Sequence, residues 1–147
     1  MDSLSLGTFL MRRIGALLWF ILPSIAWAQG LLIVANPQVP ASSISAGELA
    51  SIYLVQKTAW AGGLPIVPVN RDSTSSIREH FSETVLEHSP RELAEYWNRL
   101  RFQGRLPPIV QASDQAVVGF IRNVPGAVGY ISADQSPTGV KILARLP

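Results

Sequence analysis

Short apolar runs and helix-spaced apolar stripes alternate along the chain from residue 31 to its end. Leu31–Ala35 is an unbroken apolar run before Asn36 and Pro37, which is typical of a strand buried on both faces. Pro68 lies in a second apolar run and favours an edge position or an irregular end for that strand, because proline lacks the backbone N–H donor. Strands are predicted at Leu31–Ala35, Ile66–Val69, Ile109–Val110, Ala127–Ile131 and Gly139–Leu143.

Four helices are predicted between these strands, each after a polar start signal. A capping-box pattern, serine followed three residues later by glutamate, occurs at Ser45 and again at Ser89, where Pro90 strengthens the signal. The other two helices follow polar segments that contain Ser75 and Ser113. The apolar stripes are Leu49, Ile52 and Tyr53; Ile77, Phe81, Thr84 and Val85; Leu93, Tyr96, Trp97 and Leu100; and Val117, Phe120 and Ile121. The alternation predicts one α/β domain with a mixed sheet flanked by helices.

The N-terminal segment differs from the rest of the chain and predicts a secretory signal peptide over residues 1–28. Arg12 and Arg13 precede the apolar run Ile14–Ile25, and Ala26–Ala28 supplies the small residues at which signal peptidase cleaves. Cleavage after Ala28 by the general secretion route would leave a periplasmic domain with no membrane span. A retained anchor is the alternative, although the apolar run is shorter than the ~20 residues that a span needs.

Composition limits the chemistry that the chain can perform. The charges are nearly balanced, with 12 Lys and Arg against 10 Asp and Glu, and no basic run indicates nucleic-acid binding. Cysteine is absent, which excludes disulfides, thiolate catalysis and Cys-ligated zinc. His80 and His88 are too few for a metal site, and no G-x-S-x-G elbow indicates a hydrolase. We therefore expect no catalytic residue, metal or cofactor.

A polar segment between a predicted strand and a predicted helix is the candidate site. Its helix is expected to begin near Ser75 or Ser76, where unpaired backbone amides and the helix dipole favour an anion. Serine and threonine hydroxyls and a bidentate arginine would add donors. The candidate anion-binding residues are Arg71, Ser73, Thr74, Ser75, Ser76 and Arg78.

A purely structural interpretation of the same segment is also open. Ser76 and Glu79 have capping-box spacing, and Arg71 could pair with Asp72 or with Glu79 instead of with a ligand. Asp114, which follows the serine predicted to cap the last helix, is interpreted as a first-turn helix charge.

Three stretches carry a resemblance to a known family. Leu49–Trp60 is similar to the pattern L-x-x-I-[FY]-L-G-K-x-x-x-W, with Val55-Gln56-Lys57 in place of Gly-Lys. Pro65–Phe81 resembles a strand leading into R-S-D-G-S-G-T, and Asn123–Ile131 is similar to P-G-A-I-G-Y-[IV]. In this order they resemble the periplasmic phosphate-binding proteins of phosphate ABC transporters, which have the type II solute-binding fold. The match covers only one of that family's two lobes.

The resemblance implies a single three-layer-like lobe and a non-enzymatic role. Arg71 matches the family's arginine and Ser75 its serine, whereas Ser76 stands in place of glycine and Ile77 in place of threonine, which removes a hydroxyl ligand. The implied function is weak binding of phosphate or a related oxyanion, in connection with phosphate transport or sensing. A periplasmic or inner-membrane protein is a further implied partner.

The alternative is a periplasmic interaction module that keeps the fold with a decayed anion site. Its docking face would include Trp60 and an arginine cluster near the end of the third helix. Alternatively, the arginines of this cluster serve only to compensate the negative end of the helix dipole. Trp60 and Trp97 are otherwise expected to serve packing rather than ligand binding. The cluster comprises Arg99, Arg101 and Arg105.

Overall fold

The computed structural model describes residues 30–147, so the predicted signal peptide lies outside the described residues. Within that range the predicted order of strands and helices is confirmed. The elements are β1 (Leu31–Ala35), α1 (Ala46–Tyr53), β2 (Val67–Arg71), α2 (Ser76–Phe81) with a π-helical continuation (Ser82–Leu86), α3 (Pro90–Arg101), β3 (Ile109–Gln111), α4 (Asp114–Asn123), β4 (Ala127–Ser132) and β5 (Lys141–Leu146).

The five strands form one mixed sheet in the order β3-β2-β4-β1-β5. β1 runs antiparallel to both β4 and β5, whereas β2 runs parallel to β3 and to β4. The carboxyl ends of β2, β3 and β4 therefore meet at one edge of the sheet. In open α/β sheets this is the edge at which ligands bind.

Helices cover both faces of the sheet, which confirms the three-layer arrangement. Because side chains alternate along a strand, Leu31, Ile33 and Ala35 of β1 face one core, while Leu32 and Val34 face the other. The first core packs against α1, the α2 segment and α3, and the second packs against α4. Every residue of β1 and β4 is buried, as expected for inner strands with two covered faces.

Two strands, β2 and β5, differ from the sequence prediction by more than one residue at an end. β2 extends to Arg71, and it is an inner strand, so the edge position suggested by Pro68 is wrong for the strand as a whole. The proline is tolerated because β3 pairs only from Val69 onward, while the N–H of Val67 bonds toward Gly126. β5 is displaced toward the C-terminus relative to the prediction, and its pairing shifts register opposite Ile33 and Val34.

No helix within residues 30–147 is long and apolar enough to cross a membrane.

Candidate anion-binding site

An open basin lies at the carboxyl ends of β2, β3 and β4, and we call it the Arg71 basin. It has a volume of about 460 Å³. Its walls are the end of β2 with the start of α2, the start of α4, and the turn that follows β4. The lining residues are Arg71, Asp72, Thr74, Ser75, Ser76, Ile77, Ala112, Asp114, Ser132, Asp134 and Gln135.

Arg71 is the last residue of β2, and its guanidinium lies largely buried, with 12% of the side chain exposed. Its Nη1 forms an ion pair with Asp114, and Nη2 donates to the carbonyl of Ala112 at 3.4 Å. Nε is buried and has no hydrogen-bond partner among the described residues. The fork of donors is therefore fixed in place and only partly used.

Asp114 is the partner of Arg71, so the predicted pairing of Arg71 with Asp72 or Glu79 is wrong. The carboxylate stands in the first turn of α4, as expected for a helix-start charge, and 20% of its side chain is exposed. Its second oxygen accepts a hydrogen bond from the backbone N–H of Ser132, the last residue of β4, at 3.3 Å. This one side chain thus links the ends of β2 and β4 to the start of α4.

The end of β2 is also held from beneath by two buried polar side chains. The N–H of Arg71 lies 3.0 Å from Asn70 Oδ1 and 3.2 Å from the hydroxyl of Tyr130, which itself donates to Asn70 Oδ1. Burial raises the pKa of Tyr130 to about 12. The hydroxyl therefore stays protonated at neutral pH and joins β2 to β4 as a donor.

The polar segment after Arg71 folds as a tight turn. Thr74 donates from its N–H and from its hydroxyl to Asp72 Oδ1, at 3.1 and 2.7 Å, and the N–H of Ser75 bonds to the Asp72 carbonyl at 3.1 Å. The Thr74 hydroxyl bond is the main cause that lowers the pKa of Asp72. The Thr74 hydroxyl is thus already engaged within the turn.

The start of α2 differs from the capping prediction. Ser75, not Ser76, is the N-cap, so the predicted box between Ser76 and Glu79 is wrong. Glu79 instead makes the first intrahelical bond, from its N–H to the Ser75 carbonyl at 3.1 Å. The hydroxyl of Ser75 makes no capping bond, which leaves it available to a ligand in the basin.

The structure divides the six candidate residues between two neighbouring depressions. Arg71, Thr74, Ser75 and Ser76 line the basin, whereas Ser73 and Arg78 line an adjacent groove of about 440 Å³ that Thr74 and Ser75 share. The guanidinium of Arg78 donates to the Arg71 carbonyl at 2.9 Å, so this arginine braces the backbone.

Carboxylates around the basin offset the charge of Arg71. Sequence reasoning missed this role for Asp114 and for Asp134, which lies in the turn after β4. The pKa of Asp134 is lowered, first by the Ser132 side chain and then by Gln135. Since the pKa of Asp72 is lowered as well, both carboxylates are ionised at neutral pH. The position of Asp134 after a buried apolar strand was the available sequence signal.

The two tryptophans occupy different positions. Trp60 is buried, with 3% exposed, and its Nε1 donates to the Gly126 carbonyl at 2.9 Å, which confirms packing as its role and makes it wrong as a docking residue. Trp97 is half-buried in the groove beside Arg78 and packs edge-on against Tyr96. No three His, Asp or Glu side chains of residues 30–147 gather as metal ligands.

Several solved structures are similar to this fold. No family model and no curated protein matches the sequence. A phosphate ABC transporter substrate-binding protein with bound phosphate from Clostridium perfringens superposes with a TM-score of 0.64 at 20% identity, over 78% of this chain and 44% of that one. An ABC-type phosphate transport receptor from Vibrio cholerae gives 0.63 at 22% identity, over 78% and 45%. PstS from Borrelia burgdorferi gives 0.64 at 22% identity, over 79% and 47%.

The chain has the fold of one lobe of a type II solute-binding protein. It spans less than half the length of these structures, which are transport receptors and binding proteins rather than enzymes. The resemblance inferred from the three sequence stretches is therefore confirmed at the level of the fold. In this single type II lobe, the Arg71 basin lies at the sheet edge where a ligand of such a fold is expected.

Proposed function

We propose that this lobe binds phosphate or a related oxyanion weakly in the Arg71 basin. The observation that carries the proposal is the fixed guanidinium of Arg71, whose Nε has no hydrogen-bond partner among the described residues, at the carboxyl ends of three strands. Buried donors are normally paired, so an unpaired one at such an edge is a mark of a functional site. The phosphate held by the Clostridium perfringens protein of the same fold supports this choice of ligand.

The remaining donors of the basin suit an oxyanion approaching from solvent. The Ser75 hydroxyl makes no capping hydrogen bond and is therefore free to donate. The first backbone amides of α2 lie on the same wall of the basin, where the helix dipole favours negative charge. Ile77, which stands in place of a family threonine, is buried in the core beneath and contributes its amide rather than a hydroxyl.

Weak binding follows from the charges and from the open shape. Arg71 is already neutralised by Asp114, and Asp72 and Asp134 lie in the same basin. A single lobe also contacts its ligand from one side only, so the anion keeps much of its hydration and salt screens the attraction. The carboxylates favour a protonated oxyanion, which can donate to them. Phosphate carries such a proton at neutral pH and sulfate does not, so phosphate should be preferred.

The N-terminal segment supports export, so we further propose that the lobe acts in the periplasm, in phosphate transport or sensing. That connection comes from the transport receptors that share its fold. An interaction module without a ligand remains the alternative function. Trp60 is buried and therefore does not belong to the docking face of such a module, which would consist of the exposed arginines of α3 and of the loop after it.

Isothermal titration of the domain with phosphate and, separately, with sulfate tests the proposed site. Ser75→Ala should reduce phosphate affinity several-fold, because a single hydrogen bond to a charged partner is lost. Arg71→Lys keeps the charge but loses the fork, and should abolish measurable binding. Ser73→Ala is the matched control, since Ser73 lines the neighbouring groove.

Three outcomes would contradict the proposal. Absence of heat with millimolar phosphate would favour the interaction module. Equal affinity for sulfate would contradict the role given to the carboxylates. If Ser73→Ala loses phosphate binding while Ser75→Ala binds phosphate normally, the anion occupies the groove beside Arg78 instead.

A further inference from the structure

Exposed apolar side chains concentrate at one corner of the molecule, residues 99–110, which we call the β3 corner. Among the described residues, five large hydrophobic side chains are strongly exposed, and all but Ile142 lie here. Their exposed fractions are 94% for Phe102, 78% for Leu106, 51% for Val110 and 45% for Ile109. Single exposed apolar residues are ordinary, but a cluster of them marks an interaction surface.

The same corner carries positive charge without compensation. Arg99, Arg101 and Arg105 are all exposed, and the sequence from Tyr96 to Ser113 contains no Asp or Glu. None of the three arginines forms a salt bridge within residues 30–147. Glu95, four residues before Arg99, pairs with Arg91 instead. The complementary surface must therefore be both apolar and anionic.

The apolar tip is held in its exposed position by the backbone. α3 ends at Arg101, and the chain turns at Gly104, whose φ is 74°. The N–H of Arg105 bonds back to the Leu100 carbonyl at 3.1 Å, and the N–H of Gln103 bonds to the same carbonyl at 2.9 Å. This turn holds Phe102 and Leu106 in exposed positions, and Leu106 also forms part of the wall of a depression of about 200 Å³. A side chain as exposed as that of Phe102 can enter a bilayer surface directly, whereas a protein partner would have to supply a matching pocket.

We infer that the β3 corner docks on the surface of a bilayer containing anionic lipids. Phe102 and Leu106 would enter the boundary between headgroups and acyl chains, and the three arginines would contact lipid phosphates. This combination of an apolar insertion with a few basic side chains is the usual physical basis of reversible interfacial binding. The corner is distinct from the Arg71 basin, so the inference does not depend on phosphate binding.

Vesicle co-sedimentation tests the inference with protein collected after export from an expressing bacterium. One set of vesicles contains phosphatidylcholine with about one-third phosphatidylglycerol, and the other contains phosphatidylcholine alone; an anionic fraction of this size gives a strong surface potential. Binding should occur on the anionic vesicles and fall with added salt. Replacing Arg99, Arg101 and Arg105 with Gln should lower the partition coefficient about fivefold for each arginine.

The apolar part is tested by Phe102→Ser combined with Leu106→Ser, which should lower binding at least about tenfold even if each side chain is only half buried in the bilayer. The matched control is Ile142→Ser combined with Arg145→Gln, which changes the same residue types in β5, at the opposite edge of the sheet. This control should bind as the unaltered protein does. A Phe102→Trp variant reports the contact directly, through a blue shift of its emission on anionic vesicles.

The inference is overturned if the arginine and apolar variants sediment as the control does, or if neutral vesicles bind equally well. It is also overturned if Phe102→Trp shows no blue shift while the protein sediments, since another segment would then hold the bilayer. Absence of vesicle binding together with a soluble complex formed through this corner would assign it to an acidic protein partner instead.

Discussion

Replacing Asp114 with asparagine should weaken the fold and strengthen phosphate binding at the same time. The carboxylate stabilises the buried guanidinium of Arg71 and ties it to the N–H of Ser132. The same negative charge lies in the basin where the anion would bind. Asparagine keeps the size of the side chain and an oxygen that can accept from Arg71, but it removes the charge.

The exposure of the Arg71–Asp114 ion pair sets the loss of stability expected for Asp114→Asn. Breaking a fully buried ion pair costs about 3–5 kcal/mol, and an exposed pair contributes about 0–1 kcal/mol. With 12% of Arg71 and 20% of Asp114 exposed, and with one hydrogen bond retained, we expect a loss of about 1–2 kcal/mol in the free energy of unfolding. Removing one like charge near the anion in a partly hydrated basin should tighten phosphate binding about tenfold, or ~1.4 kcal/mol.

Urea unfolding measures the first effect and calorimetric titration the second. Asp134→Asn is the control, because it removes a carboxylate of the same basin that pairs with no arginine in the described structure. Its free energy of unfolding should change little, because the Asp134 side chain is exposed, while its phosphate affinity should rise modestly. If Asp114→Asn folds and binds phosphate more weakly, the carboxylate orients Arg71 for the ligand instead of competing with it. An unchanged affinity would refute the assignment of the anion to this basin.

Three further predictions concern the fold and the pH dependence. Gly126 has a φ of 81°, and a Cβ there would lie 2.0 Å from the Pro65 carbonyl oxygen. Gly126→Ala should therefore lower the free energy of unfolding in urea by more than about 2 kcal/mol. A decrease of less than about 1 kcal/mol would contradict this geometry. The pKa of Tyr130 is about 12 in the fold against about 10 in the unfolded chain, so its contribution to stability is fully present below pH 10. About 2–3 kcal/mol of the free energy of unfolding should be lost as the pH rises to 12. In Tyr130→Phe, urea unfolding should show a weaker dependence of stability on pH in this range. Phosphate affinity should increase as pH falls from about 8 to about 6, because the added proton removes one negative charge and can be donated to the ionised Asp72 and Asp134; affinity that rises with pH would contradict this charge balance.

Local patterns predicted the elements whose formation depends on neighbouring residues. The box at Ser89 is present in full, with its hydroxyl accepting from the Glu92 N–H and the Glu92 carboxylate accepting from the Ser89 N–H. The continuous apolar run of β1 became a strand with both faces buried. The end of β2 was missed because Asn70 and Arg71 are polar. Asn70 is nevertheless buried, since Tyr130 and the next backbone N–H satisfy its oxygen.

The sequence placed Arg71 at the end of a strand, as the structure does, but it did not predict which carboxylates surround this arginine. The order of strand, polar segment and helix placed Arg71 at a sheet edge, which is a local feature of the sequence. Its ion-pair partner Asp114 lies 43 residues further along the chain, and the nearer carboxylates Asp72 and Glu79 were the only candidates that spacing could suggest. The parallel pairing of β2 with β3 brings Asp114 to Arg71, and no local pattern encodes that pairing.

The family resemblance is strongest where the fold itself requires particular residues. In the stretch that resembles P-G-A-I-G-Y, Gly126 turns against the Pro65 carbonyl, and a Cβ on Gly129 would lie 2.7 Å from Ile121 of α4. Tyr130 then holds the end of β2. The anion segment departs from the family instead at Ile77, whose side chain packs in the core and anchors the start of α2 without a ligand. Because Ile77 holds the start of α2 through a core contact, the proposed weak binding of phosphate is compatible with a stable fold, and we expect Asp114→Asn to strengthen that binding.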